Sequence, residues 1–238
     1  MNNNEVLSVV IPAAGLSRRM KTKNNKPYLI LEETPVLSYS LAVFDSLPEV
    51  GEIVVVVKRG EEALAERAGE IARIRRSLKI VVGGMTRGES VFNGLKATCP
   101  NYPFIAVHDA ARPCITPNLV RRVMEAAFKS GAATAASRMR DTCAASLSEG
   151  EQAPIISYVP RSTLIAIQTP QIFRRDIILT AHERAAERGE QATDDTTLVK
   201  AEGHEVTAVM GPSTNIKLTE PEDLPLVRAI IKQLNISV

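Results

Sequence analysis

Unbroken apolar runs punctuate this chain, and between them lie segments in which apolar residues recur every three or four positions. Residues 6–11, 53–57, 78–82, 104–107, 164–168 and 205–209 read as strands. Residues 36–47, 61–76, 90–97, 117–130, about 176–188 and 222–234 read as helices, with a further short helix capped by Thr193. Thr116 is an N-cap for the 117–130 helix and Pro117 occupies its first turn, where a missing N–H costs nothing. The strand runs are continuous rather than alternating, so both of their faces are buried. That predicts an α/β fold, a mostly parallel sheet with helices on each side.

The rhythm breaks once, after residues 132–137. From Arg138 to Arg161 the chain is polar and lacks helical periodicity, and Ser146-Leu-Ser-Glu-Gly150 is a turn cluster between two short strand-like stretches. This reads as a β-hairpin projecting from the body. A hairpin of that size is marginal alone, so it is expected to pack against something, most simply a second subunit. The chain thus divides into an α/β domain, residues 1–137 and 163–238, and an inserted arm, residues 138–162.

The 238 residues, 45% hydrophobic and 24% charged, suffice for one large core. A net charge of +2 provides no global field for nucleic acid or an anionic membrane, so any anion site must come from local clustering. No apolar stretch approaches the roughly 20 residues that span a bilayer. The N-terminus is polar, without an apolar signal region. Cys99, Cys114 and Cys143 are scattered and lack metal-ligand spacing, so reduced thiols in a cytoplasmic protein are expected.

The most informative stretch is Val10-Ile-Pro-Ala-Ala-Gly-Leu-Ser-Arg-Arg-Met20, followed by Lys26-Pro-Tyr28. A buried strand breaks at Pro12 into small residues, and Arg18, Arg19 and Lys26 follow. Small residues let backbone N–H groups approach an anion, and the cations neutralise it. The loop lies at the carboxyl end of the first strand, where α/β sheets bind ligands.

Four more clusters lie at strand ends. Gly83-Gly-Met-Thr-Arg-Gly-Glu-Ser90 either lies flat against a base or ribose or is a plain connection. In Val107-His-Asp-Ala-Ala-Arg-Pro113, Asp109 offers a hard oxygen to Mg2+ and Arg112 a phosphate contact; alternatively Asp109 caps a turn and Arg112 is a structural ion-pair partner. His108 reads as a buried, satisfied histidine. Thr169 precedes a proline and is expected to be extended, with its hydroxyl toward the sheet edge. Asp195 reads as a first-turn acid of the short helix, and Asp194 is open between that and the site. Lys217, in Asn215-Ile-Lys-Leu-Thr219, is either a solvent-facing strand residue or a phosphate contact. One carboxylate and several cations, without a nucleophile–base pair, fit nucleotidyl transfer, which needs neutralisation and alignment more than acid–base chemistry.

These motifs, in this order, resemble the 2-C-methyl-D-erythritol 4-phosphate cytidylyltransferases of the non-mevalonate isoprenoid pathway, over about Val9 to Leu224. They are Pro12-Ala-Ala-Gly-x-x-x-Arg-Met20, Lys26-x-Tyr28, Gly83-Gly-x-x-Arg-x-x-Ser-Val91, Val107-His-Asp-Ala-Ala-Arg-Pro113, Asp141-Thr142, Thr169-Pro-Gln171 and Asn215-Ile-Lys217. The resemblance implies a Rossmann-like, GT-A-like nucleotidyltransferase that joins CMP from CTP to a polyol phosphate with Mg2+. It implies that Arg19, Lys26 and Lys217 serve the chemistry. Pro12, Ala13, Ala14, Gly15, Gly83, Gly84, Ser90, Asp109 and Ala110 would hold the nucleotide and its metal, with Asp109 the metal ligand. Asp109, Arg112, Thr169 and Lys217 would contact the polyol phosphate. Thr142 and Arg161 would reach the neighbouring subunit's site from an arm that embraces a twofold partner. The chain departs from the family at Ser17, usually glycine, and at Pro27, commonly glutamine. A ribitol 5-phosphate cytidylyltransferase is the nearest alternative. A non-catalytic dinucleotide-binding module is disfavoured, because Gly15-Leu-Ser-Arg-Arg lacks the G-x-G-x-x-G spacing.

Overall fold

The structure is a computed structural model, described over residues 6–15, 25–148, 152–190, 194–234 and 238. The chain opens with β1 (Leu7–Pro12), a two-residue pair β2 (Ile30–Leu31) and β3 (Thr34–Pro35), and α1 (Val36–Asp45). There follow β4 (Val50–Val57), α2 (Glu62–Ile71), β5 (Ser77–Val82), α3 (Arg87–Ala97), β6 (Phe104–Val107) and α4 (Pro117–Ser130). The second half contains β7 (Ala132–Arg138), β8 (Cys143–Ser146), β9 (Ile155–Val159), β10 (Ile165–Arg174), α5 (Arg175–Glu187), α6 (Asp195–Ala201), β11 (Thr207–Met210) and α7 (Asp223–Gln233).

Seven strands form one sheet in the order β11-β7-β10-β6-β1-β4-β5. Only β10 runs antiparallel to its neighbours, β6 and β7. The sheet is therefore mostly parallel, as its continuous apolar strands predict. Alternate residues of β1 feed separate cores. Leu7, Val9 and Ile11 pack with Leu41 and Phe44 of α1 and Val120 and Val123 of α4. Val10 packs on the other face with Val91 and Leu95 of α3 and Ile178 of α5. Burial of both faces stabilises these strands by about 1.5–3 kcal/mol per large apolar side chain.

Close approach of α3 to the sheet needs Gly94. A Cβ there would lie 2.5 Å from Val10 Cγ1 and 2.7 Å from Val56 Cγ2. This contact seats the amino end of α3 at the carboxyl ends of β1 and β4, where the site forms.

Several element limits differ from the sequence reading. The helix expected over 61–76 stops at Ile71. Arg73 adopts φ +50°, and Asp45 of α1 accepts the N–H groups of Arg75 and Arg76 at 2.9 Å. The helix expected from Ser90 begins at Arg87, because the Thr86 hydroxyl accepts the Glu89 N–H at 3.1 Å. The strand expected to end at Gln168 runs to Arg174, with a register irregularity between Ile167 and Gln171. The short helix is capped by Asp194, whose carboxylate accepts the Thr196 N–H at 2.8 Å; Thr193, the expected cap, lies outside the described residues. Thr116 does cap α4, and Gly131 closes it at φ +83°.

Between β7 and β10, β8 and β9 pair antiparallel with each other as a separate sheet, matching the expected hairpin. Leu147, Ile155, Ile156 and Tyr158 are exposed on it. Among the described residues no helix is long and apolar enough to cross a membrane.

Candidate active site

Three loops at the carboxyl ends of β1, β5 and β6 meet on one rim of the sheet. The Ala13 N–H donates to Val56 O at 2.7 Å, and the Gly83 N–H to Val57 O at 2.8 Å, so both loops start on β4. The Ser90 hydroxyl accepts the Gly84 N–H at 3.1 Å and donates to Thr86 O at 2.8 Å, folding the β5 loop back onto α3. Gly83 is required by packing: a Cβ there would stand 2.6 Å from Ser90 Oγ and 2.9 Å from Ala14 Cβ. The Lys26 ammonium reaches across from the turn before β2 to donate to Thr219 O at 2.6 Å.

These loops enclose a cavity of about 340 Å³, within the usual range for small-molecule sites. Pro12, Ala13, Ala14, Gly15, Lys26, Gly84 and Ser90 line it. Asp109, Ala110 and Lys217 line it as well. The described residues anticipated as nucleotide-binding are thus brought together, with Gly83 packed against Ser90 and Ala14 of the lining. A second cavity of about 190 Å³ adjoins it, lined by Arg112, Ile167, Gln168, Thr169 and Asp194. Arg87, Asp109 and Lys217 belong to both.

Asp109 is the electrostatic centre of this shared wall. Its Oδ2 lies 2.9 Å from Lys217 Nζ and 3.4 Å from Arg112 Nε, and its Oδ1 lies 3.8 Å from Arg87. Burial opposes its ionisation, but Lys217, Arg87 and Arg112 outweigh burial and hold the carboxyl down at about 2. Asp109 is therefore an anion at any physiological pH.

The backbone around it is fixed by a buried polar chain. Thr169 Oγ1 accepts the Asp109 N–H at 3.0 Å and lies 3.2 Å from His108 Nδ1. The other ring nitrogen of His108 faces Arg112 O at 3.3 Å. A tautomer protonated at Nε2 satisfies both contacts. Burial pushes the His108 pKa down to about 4, so the ring is neutral and fully engaged. This agrees with its reading as a structural histidine. The Thr169 hydroxyl points at this chain of bonds, not at the sheet edge. Asn215 donates to Gln168 Oε1 and Thr169 O, each at 3.0 Å, and its carbonyl accepts from Arg112 at 2.9 Å. Arg112 is thus both an ion-pair partner of Asp109 and a lining residue of the smaller cavity.

Arg19, Ser17 and Arg18 lie outside the described residues. Thr142 and Arg161 are exposed on the arm and line neither cavity of their own chain; Arg161 donates to Arg140 O at 2.8 Å. Met85 and Arg87 are among the lining residues that were given no role from the sequence. Met85 stands at the mouth of the larger cavity, 94% exposed. Arg87 spans both cavities and lay inside a recognised motif, which was the available signal. Asp195, read as a first-turn acid, is one, but it is buried against Arg87 at 2.8 Å and His182 at 3.0 Å.

A family model described as 2-C-methyl-D-erythritol 4-phosphate cytidylyltransferase matches residues 7–233. A protein of that description from Alkaliphilus oremlandii is 37% identical over 233 residues, spanning 98% of each chain. One from Pelotomaculum thermopropionicum is 39% identical, spanning 95% of this chain and 94% of its own. The crystal structure of 2-C-methyl-D-erythritol 4-phosphate cytidylyltransferase from Thermus thermophilus superposes with a TM-score of 0.78 at 36% identity, covering 96% of this chain and 99% of that one. With the nucleotide-loop residues and the buried aspartate assembled on one rim, and relatives this similar over nearly their whole length, the chain belongs to the 2-C-methyl-D-erythritol 4-phosphate cytidylyltransferase family.

Proposed function

We propose that the protein transfers the CMP unit of CTP to the phosphate of 2-C-methyl-D-erythritol 4-phosphate and releases pyrophosphate. The observation that carries this reading is the shared wall: Arg87, Asp109 and Lys217 stand between two adjoining cavities. The larger suits the nucleotide and the smaller, rimmed by Arg112, suits a polyol phosphate. The reacting phosphates then meet at the wall. Nucleotidyl transfer needs two bound substrates in line with neutralised oxygens.

In the reaction an oxygen of the attacking phosphate bonds to the α-phosphorus as the bond from that phosphorus to the bridging oxygen breaks. The electron pair leaves with pyrophosphate. A phosphate monoester has a second pKa near 6 and is already nucleophilic at neutral pH. No base is asked of His108. Lys217 lies at the wall to steady the attacking phosphate and the α-phosphate; the neutralisation of the departing pyrophosphate is assigned to Lys26 and Arg19. Arg112 and Thr169 hold the polyol end, Arg112 as a cation and Thr169 by fixing the Asp109 backbone.

Magnesium suits this donor set. Asp109 offers hard carboxylate oxygens, with Lys217 and Arg112 on Oδ2 and Arg87 3.8 Å from Oδ1. Among the described residues no cluster of three or more acidic, histidine or cysteine side chains makes a complete cage. Mg2+ is ordinarily held by one or two carboxylates together with substrate phosphates and waters. When bound it supplies charge neutralisation at the triphosphate.

The arm fits a twofold assembly. Its exposed Ile155, Ile156 and Tyr158 call for a covering surface, and Thr142 and Arg161 would then serve the partner's smaller cavity. Three free cysteines fit a reducing cytoplasm. Pyrophosphate release from CTP, measured with 2-C-methyl-D-erythritol 4-phosphate and with ribitol 5-phosphate, tests the reading. The first is expected to turn over; activity confined to ribitol 5-phosphate would refute the substrate, and none with either would refute the reaction.

A further inference from the structure

We propose that Asp195, backed by His182, is a positioning residue that draws Arg87 away from Asp109 and so keeps one oxygen of the central carboxylate open. The inference rests on the reading of Asp109 as the acid that meets the metal and substrate.

Arg87 is the first residue of α3 and lies between two acids. Its guanidinium is 2.8 Å from Asp195 Oδ2 but 3.8 Å from Asp109 Oδ1. The other oxygen of Asp109 is occupied by Lys217 and Arg112. Both of those contacts are made to Oδ2, whereas the approach of Arg87 to Oδ1 stays at 3.8 Å, beyond hydrogen-bond range, because Arg87 is committed to Asp195.

The commitment is one-sided for a structural reason. Asp195 is 1% exposed and its Oδ1 is 3.0 Å from His182 Nε2, so the carboxylate is fixed from behind by a buried ring. Asp194, the other nearby acid, is engaged: it caps α6 and takes Gln171 Nε2 at 2.7 Å. Arg87 keeps an unused donor, since its Nη1 is buried without an acceptor among the described residues. A buried guanidinium with a free N–H and a second carboxylate within 4 Å will close on that carboxylate once its present partner is weakened. Such a pair would cover Oδ1.

Asp195→Asn keeps the shape and removes the charge. In its crystal structure Arg87 is expected to move from 3.8 Å to about 3 Å from Asp109 Oδ1. Mn2+ binding, read by electron paramagnetic resonance with the α,β-methylene analogue of CTP saturating, is expected to weaken by about tenfold or more, the usual scale for losing an outer-shell partner. The double variant Arg87→Gln/Asp195→Asn removes the competing cation together with its holder. It should recover Mn2+ binding to within about threefold of wild type, which a merely structural contribution of Asp195 would not allow. It also provides a folded background if the single variant proves unstable, because no charge is left buried alone. Arg87 staying in place in Asp195→Asn, or a double variant no better than the single, overturns the proposal. Wild-type Mn2+ binding that Asp109→Asn does not alter would instead refute the metal reading, and the position of Arg87 would still decide this one.

Discussion

Neutralising Asp109 should destabilise this protein, contrary to the common effect of removing an active-site acid. Functional carboxylates often sit beside like charges, and their removal then relieves strain. Here the neighbours are Lys217, Arg112 and Arg87, all cations. Their pull moves the carboxyl from 3.8 in the unfolded chain to about 2 in the fold. A folded value below the unfolded one means that the stabilisation is present above pH 3.8 and is lost as pH falls toward 2. The difference, almost two pKa units, corresponds to about 2 kcal/mol. For a chain of this size each kcal/mol moves the midpoint by about 2–4 °C, so Asp109→Asn should melt about 4–8 °C below wild type at pH 7. The two proteins should converge as the buffer is taken from pH 4 toward pH 2. Differential scanning calorimetry across that range reads both features. A variant that melts at or above the wild-type temperature at pH 7 would show that the three cations do not stabilise the carboxylate.

Lys217→Ala and Arg19→Ala should each lower kcat by at least about 10²-fold, the scale for losing one positioned charge donor, and near-normal turnover would remove that residue from the chemistry. His108 has a pKa pushed by burial from 6.5 to about 4, so between those values the unfolded chain binds the proton and the fold does not. Stability should therefore decline as pH falls through that window, by up to about 3 kcal/mol. Urea midpoints from pH 7 to pH 4 measure this, and His108→Gln should flatten the profile; an unchanged slope would place the titration elsewhere. Deleting residues 142–159 should leave a monomer in sedimentation velocity, and a persisting dimer would reject the arm as the dimer contact.

The sheet was readable because its signal is local. Residues 53–57 announce a doubly buried strand through unbroken β-branching, and β4 indeed carries that run at its core. Limits were less readable where a distant residue sets them. The charged, Ala-rich period of 61–76 continues unbroken past Ile71, yet the helix ends because Asp45 captures the N–H groups of Arg75 and Arg76. Thr193 and Asp194 are both competent caps, but Asp194 is anchored by Gln171 from β10. The start of α3 was the avoidable miss. Thr86 with Glu89 three residues on is a capping pattern, obscured by the glycines around it.

The site divides along the same line. Asp109 could be found because a strand end gives a carboxylate a known address, and Lys26 and Lys217 because a family motif names them. Arg87 too lies in such a motif, but its pairing with Asp195, and that acid's with His182, could not be read. Arg87, Asp195 and His182 come from three helices, with 108 residues between the first pair and 13 between the second, and no period links them. A sequence states how many charges a site has; which acid holds which cation depends on how α3, α5 and α6 dock on the sheet. That docking follows from packing at positions such as Gly94, remote from any chemistry. In the positioning role proposed for Asp195 the pairing bears on function, since Arg87 on Asp195 stays 3.8 Å from Asp109 Oδ1, whereas the same arginine on Asp109 would cover that oxygen.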